Sequence, residues 1–485
     1  MRYKAIADQY IEDIQTGRLK PEQRLPSLRR LAELHNVSMT TALNCYHLLE
    51  ELGWATARPQ AGYFAAKPFS EQQGPKFPAF QSKATDPCRA DDEAPSAADN
   101  ILPHSRLYND SRDRQPGPLG VSLLAPELLP TEALARSLRR ASQLQGEQVH
   151  YYPEPQGHDS LRRALQGHFS RYDFHFAADQ LVISNGCLDA IHGALSVTTQ
   201  PGDVVAISSP CFSGLLDLLA QMGRQVLEIP STEQGLDLQQ LEQHMRAKTI
   251  SAGLFSTSHM NPQGISLSAQ QKRQLAEMAN RYKVPIIEDD VYLELGHGQA
   301  VPLPAKHWDK HGYVLWCGSV SKTLTAGYRL GWCLPGRYFK SYLQLRNTQS
   351  FGVSSPIQLT VAEFINSGQY QKHLRKTRLA LARQLQSYYH WLQQQLPDNA
   401  RISTPGGGMV LWIQLPGLDS AELDRQAKIQ GIDIRIGSNF STLGHYKDCF
   451  RINFGWPLQT ELQQSTKAAE QLEGLLQLVR KQLAH

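Results

Sequence analysis

Near the N-terminus, YKAIADQYIEDIQTG sets apolar residues at helical spacing and stops at Gly17. Pro26-Ser27 predict the start of a second helix, capped by Ser27 and running to about His35. Asn36 suits a left-handed turn, and Ser38 can cap a third helix from Met39 to Leu52, stopped by Gly53. A hairpin from Trp54 to Phe64 follows, turning near Gln60-Ala61-Gly62. Two short helices across a tight turn, then a hairpin, predict a winged helix-turn-helix over residues 1–67. The pattern then breaks. Residues 68–118 are rich in Pro, Ser, Asp and Ala and read as a linker with a lead-in segment, at least partly mobile. From residue 119, short β-rich runs (QLVIS, DVVAISS, SAGLFST, VPIIEDD, YVLWCGS) alternate with amphipathic helical stretches, which predicts an α/β domain with a mostly parallel sheet. After residue 355 long helical patterns dominate. A small α/β subdomain within 356–485 then closes the chain: MVLWIQLP, a helix, GIDIRIG, RINFGW and a last helix to residue 482.

Composition narrows the class. A chain of 485 residues is too long for one ordinary core. It is 41% hydrophobic, in the range of a soluble globular protein, and no apolar run approaches the roughly 18 residues of a spanning helix. The start carries acidic residues and no apolar signal-peptide core, so the expected location is cytoplasmic, with no membrane partner. Seven scattered cysteines, without metal-ligand spacing, read as cytosolic thiols and predict no metal site. The formal charge of +4 is only weak evidence for a polyanionic partner.

Four segments carry candidate chemistry. In Gly318-Ser319-Val320-Ser321-Lys322, followed by Arg329, a lysine amine able to form an imine with an aldehyde cofactor sits among hydroxyls and a guanidinium suited to phosphate. In Ile287-Glu288-Asp289-Asp290-Val291-Tyr292, an apolar strand ends in acids, placing carboxylates where α/β sites form. A buried carboxylate there suits a pyridinium nitrogen, and Tyr292 suits the ring's phenolate oxygen. Asn261-Pro262-Gln263-Gly264 is a turn that presents an amide. Val182 to Ile191 reads as strand, glycine turn and helix start, an anion site.

Residues 1–66 resemble the DNA-binding domain of GntR-type regulators. The residues that carry this are Leu25-Pro26-Ser27, Arg29, Leu31-Ala32, Val37-Ser38, Thr40-Thr41, Tyr46, Leu49, Gly53 and Gly62-Tyr63-Phe64. The resemblance implies that Arg29, Ser38, Thr40 and Thr41 approach phosphates and base edges, and that Gly62 passes close to the minor groove. Short hydroxyl residues at a recognition helix's N-terminus suit phosphate, and the helix dipole helps.

The four segments, in their order, resemble fold-type I pyridoxal 5′-phosphate (PLP) enzymes of the aminotransferase class over about residues 119–485. That resemblance implies Lys322 as the Schiff-base lysine and proton shuttle, Asp289 on the pyridine nitrogen, and Asn261 and Tyr292 on the ring oxygen. It implies phosphate contacts from the Gly186 and Cys187 amides, Ser319, Ser321 and Arg329, and Phe212 stacked on the ring. Cys187 stands where polar residues are usual, so only its amide counts as a phosphate ligand. Tyr152 matches a tyrosine that reaches the partner subunit's phosphate, which implies a homodimer. Arg451 matches the clamp for a substrate α-carboxylate, with Asn261 beside it.

A GntR-like winged helix followed by such a domain resembles the MocR arrangement of bacterial regulators. That implies a PLP-dependent transcription regulator which binds an operator in double-stranded DNA and senses an amine or amino acid. Two alternatives stay open at this point: an active aminotransferase with a DNA-binding appendage, and a regulator that senses PLP itself.

Overall fold

The computed structural model describes residues 2–20, 23–51, 54–58, 62–66, 74–87, 117–145, 150–232, 234–298, 301–460 and 464–484. The predicted helix stop at Gly53, the turn at Gln60-Ala61 and most of the linker lie outside the described residues.

The N-terminal domain holds helices α1 (Arg2–Gln15), α2 (Leu28–Leu34) and α3 (Met39–Glu51), then an antiparallel pair, β1 (Ala55–Arg58) and β2 (Gly62–Ala65). Ser27 caps α2 by accepting from the Arg30 amide, and Asn36 takes a left-handed φ of 48°. Thr41's amide donates to Ser38 Oγ at 3.2 Å, so the caps read from the sequence are present. Ile6, Tyr10, Ile14, Leu31, Tyr46 and Leu49 are among the residues that form one core for the domain. Tyr46 stacks on Tyr63 with ring centroids 4.1 Å apart, tying α3 to the wing.

The second domain is built on a nine-stranded mixed sheet. Its strands are β3 (Ala84–Thr85), β4 (Val182–Ser184), β5 (Val204–Ser209), β6 (Gln225–Thr232), β7 (Gly235–Leu236), β8 (Ala252–Ser256), β9 (Ile286–Asp289), β10 (Val314–Ser319) and β11 (Gly331–Leu334). The order is β3-β6-β5-β8-β9-β10-β11-β4, with β7 paired to β6. Strands β6, β5, β8, β9 and β10 pair in parallel, and β11 runs antiparallel between β10 and β4. β9 and β10 are buried at every position and β5 at all but Val204, which fits the apolar runs with which they begin. A smaller antiparallel sheet, β12 (Arg401–Ile402), β13 (Val410–Gln414), β14 (Arg435–Ile436) and β15 (Cys449–Asn453), has the order β12-β13-β15-β14. The 27-residue helix Gln369–Gln395, here the long helix, precedes it, and the helix Lys467–Leu483 closes the chain.

The stretch read as a linker is not uniform. Residues 74–87 lie on the second domain: β3 pairs with β6, and Ser82 Oγ donates to Glu228 O at 2.7 Å. Lys76's amide donates to Gln414 Oε1 at 2.8 Å. Backbone pairing needs little apolar sequence, so a Pro- and Ser-rich segment can join a sheet edge without showing it in the hydrophobic pattern.

Candidate cofactor site and nucleic-acid interface

Parallel pairing sets Cys317 beside Asp289, where β9 ends, and β10 runs two residues further to Ser319. Their carboxyl ends deliver Asp289 and Ser319, and the loops beyond deliver Tyr292 and Lys322. Asp289 is buried. Burial pushes its carboxyl up to about 6, opposed by a hydrogen bond from Cys187 Sγ at 3.2 Å. The Lys322 amine donates to Ser122 O at 2.7 Å. Desolvation first, and then the nearby positive charge of Arg451, lower its pKa to about 8 against the opposing pull of Asp289. Tyr292 lies against this amine, its ring centroid 6.0 Å from Lys322 Nζ, and its hydroxyl is 2.8 Å from Ser122 Oγ. Arg451 is buried on β15. It donates to Asn261 Oδ1 at 3.2 Å and to Gly120 O.

A second group lies across Asp289. Gly186 has φ 96° at the start of the helix Cys187–Thr198, and a Cβ there would stand 2.6 Å from Arg329 Nη2. Glycine thus leaves the helix's first amides open beside the guanidinium. Ser319 Oγ and Ser321 Oγ are 2.8 Å apart, and Ser319 Oγ also accepts from the Ser321 amide at 3.1 Å. An amine, a buried carboxylate, a tyrosine, and an anion cradle of helix amides with an arginine together fit a phosphorylated pyridine aldehyde in charge and donor set. Phe212 stands at the start of the helix Ser213–Gln221, partly buried. Tyr152 is 90% exposed, its ring 5.9 Å from that of Phe351.

The winged helix has the opposite character. Arg29, Ser38, Thr40 and Gly62 are exposed, and Thr41 is half-buried. The Ser38 and Thr41 hydroxyls lie 2.9 Å apart at the start of α3. A Cβ at Gly62 would lie 3.8 Å from Arg24 Nε and Nη2, so the Arg24 side chain runs along the wing.

Residues 122–464 match the family model for class I and II aminotransferases, and residues 2–64 match that for bacterial regulatory proteins of the gntR family. The HTH-type transcriptional regulator YdcR of Escherichia coli (strain K12), described as uncharacterized, is 34% identical over 96% of this chain and 97% of its own. This chain belongs to the MocR type, a GntR winged helix joined to a class I and II aminotransferase domain. The 2-aminoadipate transaminase of Thermus thermophilus is 25% identical over 76% of this chain and 93% of its own. In fold, the MocR-type chain matches the multiple substrate aminotransferase of Thermococcus profundus at a TM-score of 0.71, with 21% identity, covering 79% of this chain and 96% of the other. The aminotransferase fold is one that carries PLP in its family, and the winged helix is a DNA-binding fold.

Within this MocR-type chain, Lys322, Asp289, Tyr292, Asn261 and Arg451 come together, as do Gly186, Cys187, Ser319, Ser321 and Arg329. Tyr152 instead faces outward. Three groups escaped the sequence reading. Ser122 and Gly120 cross the site through two carbonyls and the Ser122 hydroxyl, and the only local signal was the glycine- and proline-rich run Pro116-Gly117-Pro118. Cys187 was read for its amide alone, yet its thiol donates to Asp289. Arg24 lies along the wing two residues before the Pro26-Ser27 cap, a basic residue in view but not chosen. No helix among the described residues is long and apolar enough to cross a membrane.

Proposed function

We propose that this chain is a PLP-dependent transcription regulator that binds operator DNA through its winged helix and senses an amine or amino acid at Lys322. The observation that carries the reading is the pairing, in one chain, of a half-buried lysine beside a buried carboxylate and a buried arginine with an exposed donor face on a winged helix. Lys322 holds the cofactor's aldehyde carbon, Asp289 its pyridine nitrogen, and Asn261 and Tyr292 its ring oxygen. The Gly186 and Cys187 amides, Ser319, Ser321 and Arg329 hold the phosphate, and Phe212 stacks on the ring. When bound, PLP supplies an electrophilic carbon joined to an electron-withdrawing ring. With its pKa near 8, about one-tenth of the Lys322 amine is neutral at pH 7, and it takes or returns a proton readily. Arg451's planar fork receives the effector's carboxylate beside Asn261. Arg29, Ser38, Thr40, Thr41 and Gly62 face the duplex. The exposure of Tyr152 supports a homodimer in which it reaches the partner's phosphate site. Residues 1–67 form the DNA-binding part, and the cofactor part extends from 119 to 485.

The test is the affinity of full-length protein for duplexes from upstream of its own gene, with and without PLP and each common amino acid. The reading expects PLP uptake and an amino-acid-dependent change in affinity. PLP-independent, amino-acid-independent binding would overturn it. The complete lysine, aspartate and arginine set also favours a second reading, a working aminotransferase. Keto acid formed from amino acids at ordinary enzyme rates would support it.

A further inference from the structure

The first half of the long helix grips both loops that carry the cofactor residues. Thr323 directly follows Lys322 and is buried. Its carbonyl accepts from His373 Nε2 at 2.8 Å, and its hydroxyl lies 2.8 Å from Tyr370 Oη. Tyr370 Oη also lies 2.8 Å from Glu294 Oε2. A tyrosine has one proton to give and an ionised carboxylate has none. The chain of bonds therefore runs from the Thr323 hydroxyl to Tyr370, and from Tyr370 to Glu294. The other Glu294 oxygen faces His168 Nε2, and Arg378 Nε donates to the Glu294 carbonyl at 2.6 Å. Burial pushes the Glu294 carboxyl up, but His168, the Arg378 charge and the Tyr370 hydrogen bond together outweigh this, and the group titrates below its ordinary value. Glu294 is two residues past Tyr292 and five past Asp289. Tyr370, His373 and Arg378 thus hold the Lys322 loop and the Asp289–Tyr292 loop from one helix.

The second half of the same helix meets the winged helix. Gln386 Nε2 donates to Glu50 O at 3.2 Å, and the Arg383 charge bears on the Glu50 carboxylate. Glu50 Oε1 in turn accepts from the Ala57 amide of β1 at 3.1 Å. Glu50 lies near the end of α3, the helix whose start carries Ser38, Thr40 and Thr41. Sixteen residues separate Tyr370 from Gln386, about 24 Å along a helix, and a hydrogen-bonded helix moves largely as a rod.

We propose that Tyr370 and His373 are positioning residues for Lys322, and that the long helix carries the state of the cofactor site to α3. The proposal rests on the reading of Lys322 as the PLP lysine. Shared contacts alone do not establish coupling, so the test measures the response at the far end directly. Amide hydrogen exchange of the full-length chain is followed with and without PLP, alongside the absorbance of lysine-linked cofactor. In the wild type, PLP should slow exchange several-fold in the long helix and in α3. Tyr370→Phe keeps the ring and removes both hydrogen bonds. It should still bind PLP, shift the pH dependence of the absorbance band and lose the α3 response. His373→Gln, which keeps a donor, should retain the response if Tyr370→Phe fails to fold, and His373→Ala should lose it. Arg383→Ala with Gln386→Ala should leave the band and its pH dependence unchanged while abolishing the α3 response alone. A wild-type α3 that ignores PLP although the band forms would overturn the coupling, as would variants whose α3 responds like the wild type. No band in the wild type would overturn the PLP reading and the coupling with it.

Discussion

The two domains treat polar side chains in opposite ways. Around Lys322 they are withdrawn from water and bound to one another: Asp289 to Cys187, Tyr292 to Ser122, Arg451 to Asn261. Desolvation there moves Lys322 down to about 8 and Asp289 up to about 6. On the winged helix Arg29, Ser38 and Thr40 stand in water. Joining a lysine to an aldehyde cofactor needs an amine whose charge burial disfavours, whereas recognition of a polyanion needs donors left at the surface. One chain meets both demands by placing them on separate cores, joined by the long helix.

The contrast breaks first on salt. Binding through exposed donors to phosphates should weaken by about 10³-fold or more between 50 and 200 mM salt if about six phosphates are contacted. PLP uptake at the buried site should change little over that range, and equal salt sensitivity of the two would erase the distinction. Next, Arg451→Ala removes a buried guanidinium. A carboxylate-bearing amine should then lose about 2–5 kcal/mol of binding to the holoprotein by calorimetry, with DNA affinity in the absence of amine unchanged. An unaltered amine affinity would remove Arg451 from the site. The lowered pKa of Lys322 sets a third expectation. The amine reacts when neutral, so the rate of PLP uptake should fall about tenfold for each pH unit below about 8 and level off above it. A fall that begins only below pH 6 would point to Asp289 instead of Lys322. The smallest effect belongs to the surface domain. Ser27→Ala removes the α2 cap and should cost about 1 kcal/mol in the winged helix's unfolding, with the PLP domain's transition unmoved.

Legibility also divided between the regions. The winged helix could be read almost in full because its signals are local: Ser27, Asn36 and Ser38 act within a few residues of where they stand. At the cofactor site, Lys322, Asp289 and Asn261 each end or follow an apolar strand, whereas Arg451, in the middle of β15, was read from the family resemblance alone. Ser122 and Gly120 were not legible, because their part is played by backbone and by a hydroxyl brought in from 170 to 331 residues away. Strand β3 escaped for a related reason, since it belongs to the sheet by edge pairing. Tyr370, His373 and Glu294 read as ordinary positions in helical or loop sequence, and only their meeting at Thr323 gives them a role.

The central claim is that Lys322 carries the cofactor and that its state is read at the DNA. The most direct measurement is the absorbance of Lys322→Ala after incubation with PLP, taken with its operator affinity in the presence and absence of candidate amino acids. No lysine-linked band should form, and no amino acid should change the variant's DNA affinity. A variant that kept both the band and the response would contradict it.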